Sequence, residues 1–263
     1  MAIITDKHRA DFRELGFALV ENVIPQQQLV MLRKNLTQLW TKAKKKQIDA
    51  IRVYEDFPYF LGGVNVAGIE DPLYYAPSLK DWLISSKMDK HLADLAGWHG
   101  ADLELARIHT NDRFKYQGFW HRDARTAEAN CSIVAIAYFK DEEGFRITAA
   151  RNKYSLAETS LGDDIQRQHH YGDLEGEHVI AAPAGSVFFM KSYLLHRGYN
   201  NKSRLHLHMR FIEASNYDVN AWSQYRNLTD PKYNFSASSP VARARTLISY
   251  CLPRHNGSSL FQK

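Results

Sequence analysis

Cysteine is scarce in this chain of 263 residues, which contains only Cys131 and Cys251. The two are far apart and lack C-x-x-C spacing, so we expect neither a disulfide framework nor a cysteine-bound zinc site. Long apolar runs are also missing: no stretch approaches the roughly 18 residues of a membrane span, and we expect no signal peptide. These absences predict a soluble protein of the reducing cytoplasm.

A basic stripe is missing as well, although the net charge is +5 and the pI about 9.0. The one lysine run, KAKKK at 42–46, ends a predicted helix, where cations suit the helix dipole. Because a nucleic-acid footprint should cluster on one face, we expect no nucleic-acid partner. An anionic small substrate or cosubstrate explains the excess positive charge equally well.

Helical patterns dominate the first hundred residues. A short predicted strand at 17–24 is followed by a helix that begins at Pro25, where the missing N–H costs nothing. The apolar residues of that helix have helical spacing: Leu29, Leu32, Leu36 and Leu39. The aromatic stretch 51–75 is interrupted by Gly and Pro, which indicates loops that line a cleft, and 78–96 predict a second helix.

Short β-like runs alternate with turn residues after Gly100. They are LELARIH, CSIVAIAYF, FRITAA, HVIAAP, SVFFMKSYLLH and RLHLHMRFI. This pattern indicates a sandwich or barrel, which the preceding helices buttress in an α+β, mainly β, fold. We expect one domain over 1–263: helices and lid loops in 1–99, a β core in 100–215, and a C-terminal extension in 216–263 with one more helix.

The segment GFWHRDART, residues 118–126, contains the first candidates for a reactive site. His121 and Asp123 are two positions apart, so in an extended segment their side chains point the same way and can bind one metal ion. H-x-D alone is a weak motif, and surface polarity is the alternative interpretation. A second histidine, His196, ends a predicted buried strand over 186–195, and the polar residues after it indicate a barrel mouth.

The run RLHLHMRF alternates strictly between polar and apolar residues. Arg204, His206, His208 and Arg210 share one face of the predicted strand. A solvent-facing polar side is one interpretation. The other is a barrel lumen that binds an anion, because arginine binds a carboxylate through two parallel hydrogen bonds. Two histidines and one carboxylate are also the ligands of non-haem Fe(II) oxygenases, with catalytic zinc as the competing interpretation.

Six segments of the chain, in this order, follow the motif pattern of one known family. They are FRELGFALVENVIPQQQLVMLRKNL, SLKDWLISSKMDKHLADLAG, GFWHRD, EEGFRITAARNKY, PAGSVFFMKSYLLHRG and RLHLHMRF. GFWHRD falls at the family's W-H-x-D metal motif, and PAGSVFFMKSYLLHRG contains its second histidine. The chain therefore resembles the phytanoyl-CoA dioxygenase (PhyH-like) family of Fe(II)/2-oxoglutarate-dependent oxygenases over residues 11–211.

The resemblance implies a double-stranded β-helix, the jelly roll of cupins, with N-terminal helices packed against its major sheet. It implies Fe(II) bound by His121, Asp123 and His196, with 2-oxoglutarate and O₂ as cosubstrates. Arg204 is the implied anchor of the distal 2-oxoglutarate carboxylate, and Arg210 takes that role if the strand alignment is shifted. The implied enzyme hydroxylates, desaturates, cyclises or otherwise oxidises its substrate at an unactivated C–H bond and releases succinate and CO₂, with hydroxylation as the main expectation.

Departures from the family pattern concern the pocket around the metal. Arg122 stands where the family often has Gln, and Arg197-Gly198 replaces a frequent Gly-Ser. We expect substrate contacts from Arg122, Phe119, Tyr138 and Arg197, and a small, anionic metabolite as substrate. A non-catalytic jelly-roll protein that binds a small ligand, or a zinc-dependent hydrolase that uses the same lumen, are the alternatives. Nothing in the sequence predicts the oligomeric state.

Overall fold

The computed structural model describes residues 4–45, 53–55, 66–70, 72–111, 116–123, 132–156, 159–200 and 203–213. The described helices are α1 (Asp6–Leu15), α2 (Gln26–Lys44), α3 (Pro72–Tyr75), α4 (Pro77–Ser85), α5 (Met88–Ala96) and α6 (Leu161–Arg167). The described strands are β1 (Phe17–Val20), β2 (Val53–Glu55), β3 (Val66–Glu70), β4 (Ala101–Asn111), β5 (Tyr116–Gln117), β6 (Ser132–Tyr138), β7 (Glu142–Thr148), β8 (Glu177–Ala182), β9 (Val187–Lys191), β10 (His196–Arg197), β11 (Tyr199–Asn200) and β12 (Arg204–Glu213). None of the described helices has the length and apolar character needed to cross a membrane. The predicted C-terminal helix lies outside the described residues.

The strands form one large antiparallel sheet and a smaller one that faces it. The large sheet has the order β1-β9-β6-β12-β4-β3-β2 and the small one β10-β7-β8, while β5 pairs with β11. Apolar side chains of both sheets meet in one cluster, among them Val134, Ile136 and Phe188 of the large sheet and Phe145 and Ile147 of the small one. The predicted α+β class with a two-sheet β core is confirmed.

Helices cover the outer face of the large sheet. Helix α2 begins at Gln26, one residue after the predicted start at Pro25, and buries its leucine stripe in the same cluster as the apolar face of β12. That face consists of Leu205, Leu207, Met209 and Phe211. Each buried side chain of this kind contributes roughly 1.5–3 kcal/mol. The packing therefore fixes which face of β12 is turned away from the helices.

Two predicted elements are interrupted where the chain turns. The helix predicted over 78–96 is two helices, α4 and α5, since Lys87 between them adopts the left-handed conformation with φ 52°. The strand predicted over 186–195 ends at Lys191, and the turn after it carries the chain to β10 in the other sheet. His196 therefore faces the large sheet instead of extending it. The region 1–99 also adds strands β1, β2 and β3 to the large sheet.

The space between the two sheets, here called the lumen, has an apolar half and a polar half. Residues that pair directly across antiparallel strands share a face, and His206 pairs with Tyr138 on β6 and with His109 on β4. The polar face of β12 therefore lies between the apolar cluster, on the side of β6, and the side chains of β4. Arg204 is only 7% exposed and His206 only 4%, which excludes the solvent-facing interpretation for this end of β12.

Candidate metal centre

Three side chains that are distant in sequence meet in the polar half of the lumen. His121 and His196 form an isolated antiparallel bridge, in which each backbone N–H donates to the other's carbonyl at 2.9 Å. The Asp123 N–H donates to the Ser192 carbonyl at 3.1 Å. Ligand atoms of His121, Asp123 and His196 all lie within 4.8 Å of one another. Within the ranges that the structure describes, no second group of this kind occurs.

The backbone determines which nitrogen of each histidine is protonated. His121 Nδ1 lies 3.0 Å from the Phe119 carbonyl, and His196 Nδ1 lies 2.9 Å from the Leu194 carbonyl. A carbonyl oxygen only accepts, so each Nδ1 carries the proton and each Nε2 keeps its lone pair. His196 Nε2 is 3.6 Å from Asp123 Oδ2, and neither atom has a proton to share. These residues fit a divalent metal, because a cation between them removes the repulsion between the Nε2 lone pair and the negatively charged carboxylate.

Burial and neighbouring charges shift the pKa values of the centre. Burial, reinforced by His121 and opposed by Asp123, lowers the pKa of His196 to about 4. Burial alone would raise the pKa of Asp123, but His196, His208 and His121 together outweigh it and hold that pKa below its ordinary value. At neutral pH His196 is therefore neutral and Asp123 ionised, which are the protonation states that metal binding requires.

Histidines of β12 and β4 extend the polar face beside the three ligands. His208 Nε2 lies 3.5 Å from Asp123 Oδ2. The His109 ring lies 5.4 Å from the His208 ring and 5.2 Å from the His206 ring, measured between centroids. Burial lowers the pKa of His109 and of His206 well below the ordinary value. The alternation of β12 places His208 on the face of Arg204, but no sequence signal indicates its proximity to Asp123.

Arg204 begins β12, four residues before His208, which is roughly 13 Å along an extended strand. Its charge acts on two buried side chains, Tyr138 and Glu142. Burial raises the pKa of both above their ordinary values, and the positive charge of Arg204 opposes that rise. The Tyr138 hydroxyl is buried without a hydrogen-bond partner in the described part of the chain. A buried guanidinium near a hydroxyl donor suits a carboxylate ligand.

Phe119 and Tyr138, two of the predicted substrate contacts, each pack against a histidine ring of the lumen. The Phe119 ring lies 5.6 Å from the His121 ring and 4.7 Å from the His169 ring, between centroids. The Tyr138 ring packs edge-on against His206 at 5.9 Å. Phe119 can therefore line the space next to the metal ligands, whereas Tyr138 lies farther along the lumen, at His206.

Arg122 and Arg197, the other two predicted substrate contacts, hold the connection between β7 and β8. Arg122 donates to the Tyr154 carbonyl at 2.6 Å and lies 3.6 Å from the Asp163 carboxylate. Arg197 donates to the Asp173 carboxylate at 2.7 Å. Side chains alternate along an extended chain, so each arginine points away from the metal ligand that precedes it. Terminal nitrogens of both guanidiniums donate to protein groups, which favours a structural role over the predicted substrate contact.

No protein-family model and no curated protein matches the chain. Solved structures match most of its length. AviO1 from Streptomyces viridochromogenes Tue57 has a TM-score of 0.65 at 13% identity, covering 83% of this chain and 99% of that one. EctD from S. alaskensis with bound Fe has a TM-score of 0.62 at 13% identity, covering 81% and 78%. SnoN, a non-haem α-ketoglutarate-dependent epimerase from nogalamycin biosynthesis, has a TM-score of 0.58 at 13% identity, covering 80% and 83%. At this identity the matches show a shared fold alone.

Proposed function

We propose that the chain is an Fe(II)- and 2-oxoglutarate-dependent oxygenase built on a double-stranded β-helix, within the phytanoyl-CoA dioxygenase (PhyH-like) family. The observation that carries the proposal is the protonation pattern of His121 and His196, whose unprotonated Nε2 atoms adjoin the Asp123 carboxylate and call for a cation. Two histidines and one carboxylate leave positions open on iron for a chelating cosubstrate and O₂. The shared fold of EctD, known with bound Fe and with 2-oxoglutarate and 5-hydroxyectoine, supports this choice.

In this proposal the residues of the chain bind the metal and the cosubstrate, orient them, and exclude water from the site. Iron and 2-oxoglutarate supply the oxidising chemistry when bound. His121, Asp123 and His196 hold the metal, and the Arg204 guanidinium binds the distal carboxylate of 2-oxoglutarate through parallel hydrogen bonds. The apolar half of the lumen keeps water away from the reacting centre.

The substrate that we propose is a small, anionic metabolite. Arg107 pairs directly with His208, and Arg210 follows on the same face of β12, so positive charge continues beyond Asp123 on the side opposite Arg204. An anionic group would be attracted to that surface. Hydroxylation is the proposed outcome, with succinate and CO₂ as coproducts. SnoN is an epimerase on the same fold, so the fold by itself does not determine the product.

Turnover of 2-oxoglutarate tests the proposal. Protein with Fe(II), 2-oxoglutarate and O₂ should form succinate, and a small acidic metabolite should stimulate the rate. Arg204→Ala should raise the KM for 2-oxoglutarate roughly 10- to 100-fold, since hydrogen bonds to charged groups contribute about 1.5–3 kcal/mol. The matched variant Arg210→Ala should change that KM by less than about threefold; the opposite pattern would transfer the anchor to Arg210. Zn(II)-dependent hydrolysis without succinate, or ligand binding without turnover, would favour one of the two alternatives instead.

A further inference from the structure

We propose that His208 is a positioning residue, which donates a hydrogen bond from Nε2 to Asp123 Oδ2, the carboxylate oxygen that also faces His196 Nε2 across the metal site. The inference rests on the metal centre of the proposed function. It gives the lumen face of β12 a second task besides binding the cosubstrate, and it concerns a residue to which no sequence motif assigns a role.

His208 reaches Asp123 across the lumen from the large sheet. Its Nε2 lies 3.5 Å from Asp123 Oδ2, and its side chain is 16% exposed. β12 is a central strand, and His208 pairs with Arg107 on β4 and with Ile136 on β6. The position of His208 is therefore fixed from both sides, while the turn after β9 fixes Asp123 through the Ser192 carbonyl.

His208 is a described residue near Asp123 that can supply a proton to Oδ2. His196 Nε2 lies at 3.6 Å, but His196 carries its proton on Nδ1, which bonds to the Leu194 carbonyl. Asp123 Oδ2 is buried and accepts no hydrogen bond within the described residues. A buried acceptor without a donor costs about 1–3 kcal/mol. The separation of 3.5 Å exceeds the usual range of roughly 2.7–3.2 Å, so a shift of about 0.5 Å completes the bond.

The geometry distinguishes this role from that of a fourth metal ligand. His208 is not part of the group whose ligand atoms all lie within 4.8 Å of one another. His208 therefore does not converge with the three ligand atoms as they converge with one another.

The hydrogen bond would hold the Asp123 carboxylate in the orientation that turns Oδ2 towards the metal site. Without that restraint the carboxylate can rotate about its Cβ–Cγ bond and turn Oδ2 away from the metal. Partners of this kind typically change metal affinity 10- to 100-fold when they are removed. His109, whose ring packs 5.4 Å from that of His208, helps to hold the imidazole in place.

Equilibrium binding of Co(II), followed by visible absorption of the bound ion, tests the role without turnover. His208→Leu removes the donor and should weaken Co(II) binding roughly 10- to 100-fold. His208→Gln retains an N–H donor and should recover most of the loss. His99→Leu, at an exposed position, is the matched control and should bind Co(II) like the wild type. In addition, ¹⁵N NMR of the Zn(II)-loaded wild type should show His208 protonated at Nε2.

Each result has a definite meaning. Equal Co(II) affinity of wild type and folded His208→Leu would overturn the positioning role, as would equal losses in His208→Leu and His208→Gln, which would indicate packing alone. The NMR measurement decides the question even if a variant does not fold, because an unprotonated Nε2 contradicts the donor. Failure of the wild type itself to bind Co(II) would contradict the proposed function. That result differs from a wild type that binds Co(II) no better than His208→Leu, which would contradict only the role of His208.

Discussion

Single histidines of the lumen stay neutral inside the folded protein, and this links their protonation to stability. Burial lowers the pKa of His196 to about 4, whereas an unfolded histidine titrates near 6.5. Between these values the unfolded chain binds a proton that the folded chain does not. His196 therefore contributes stability that is complete above pH 6.5 and is lost as pH falls towards 4.

Substitution of His196 should make this contribution visible in metal-free protein. Relative to His196→Gln, the wild type should lose roughly 2–3 kcal/mol of unfolding free energy between pH 7 and pH 4.5. The comparison uses a difference because Asp89, whose pKa burial raises to about 6, acts in the opposite direction in both proteins. Urea unfolding with a chelator present measures it. A constant difference across this pH range would contradict a neutral, buried His196.

Among the structural elements, the segment that connects β7 to β8 holds the chain around His121 in place. Residues 159–174, here called the strap, accept hydrogen bonds from a segment that has no regular secondary structure of its own. Trp120 donates its backbone N–H to the His170 carbonyl at 2.9 Å and its Nε1–H to the Gly172 carbonyl at 2.7 Å. The Arg122 N–H donates to Gln166 Oε1 at 3.1 Å. The strap thereby satisfies buried polar groups on both sides of His121.

Gly162 in the strap is the position where a small change should disturb this arrangement. A Cβ at residue 162 would overlap the Arg122 guanidinium and the Tyr154 carbonyl oxygen. Because the carbonyl belongs to the backbone, Gly162→Ala should displace the strap, destabilise the protein by roughly 1–3 kcal/mol and weaken Co(II) binding. Ser160→Ala, at the exposed start of α6, should cost less than about 0.5 kcal/mol. Unchanged unfolding and Co(II) binding in Gly162→Ala would contradict the role of the strap.

The same elements show how far the sequence predicts this structure. The two-residue period of RLHLHMRF identifies both faces of β12, because one face packs against helices. The sequence does not predict the turn after β9, because its leucines, Leu194 and Leu195, are fully buried and continue the apolar pattern of the strand. His121, Asp123 and His196 lie together in the structure, but the H-x-D spacing relates only the first two. The contact between Asp123 and His208 depends on how the sheets face each other, which no local pattern encodes.

In the molecule as a whole, the apolar half of the lumen packs the two sheets together, and the polar half contains the candidate metal site. In the apolar half, the Phe188 ring lies 5.6 Å from the Phe17 ring and 5.4 Å from the Phe145 ring, between centroids. The Phe145 ring in turn stacks on His196 at 5.5 Å. The apolar half thus joins the sheets and supports one metal ligand from behind.

Removal of Phe188, whose ring packs against Phe17 and Phe145, should reduce stability more than metal binding. Phe188→Ala should cost about 3–5 kcal/mol of unfolding free energy, because Phe188 is fully buried. At a temperature where the variant is folded, its Co(II) affinity should stay within about threefold of the wild type. Val30→Ala, at a position 56% exposed, is the control and should leave both quantities nearly unchanged. A parallel loss of metal affinity in Phe188→Ala would show that the two halves are not separate.

The central claim is that His121, Asp123 and His196 bind Fe(II) and leave room on it for 2-oxoglutarate. Anaerobic titration of the wild type with Fe(II) and 2-oxoglutarate tests it most directly. The prediction is a broad metal-to-ligand charge-transfer band in the visible region that requires both additions, is absent in His121→Ala and persists in His99→Ala. A folded wild type that shows no such band at saturating Fe(II) and 2-oxoglutarate would contradict the claim.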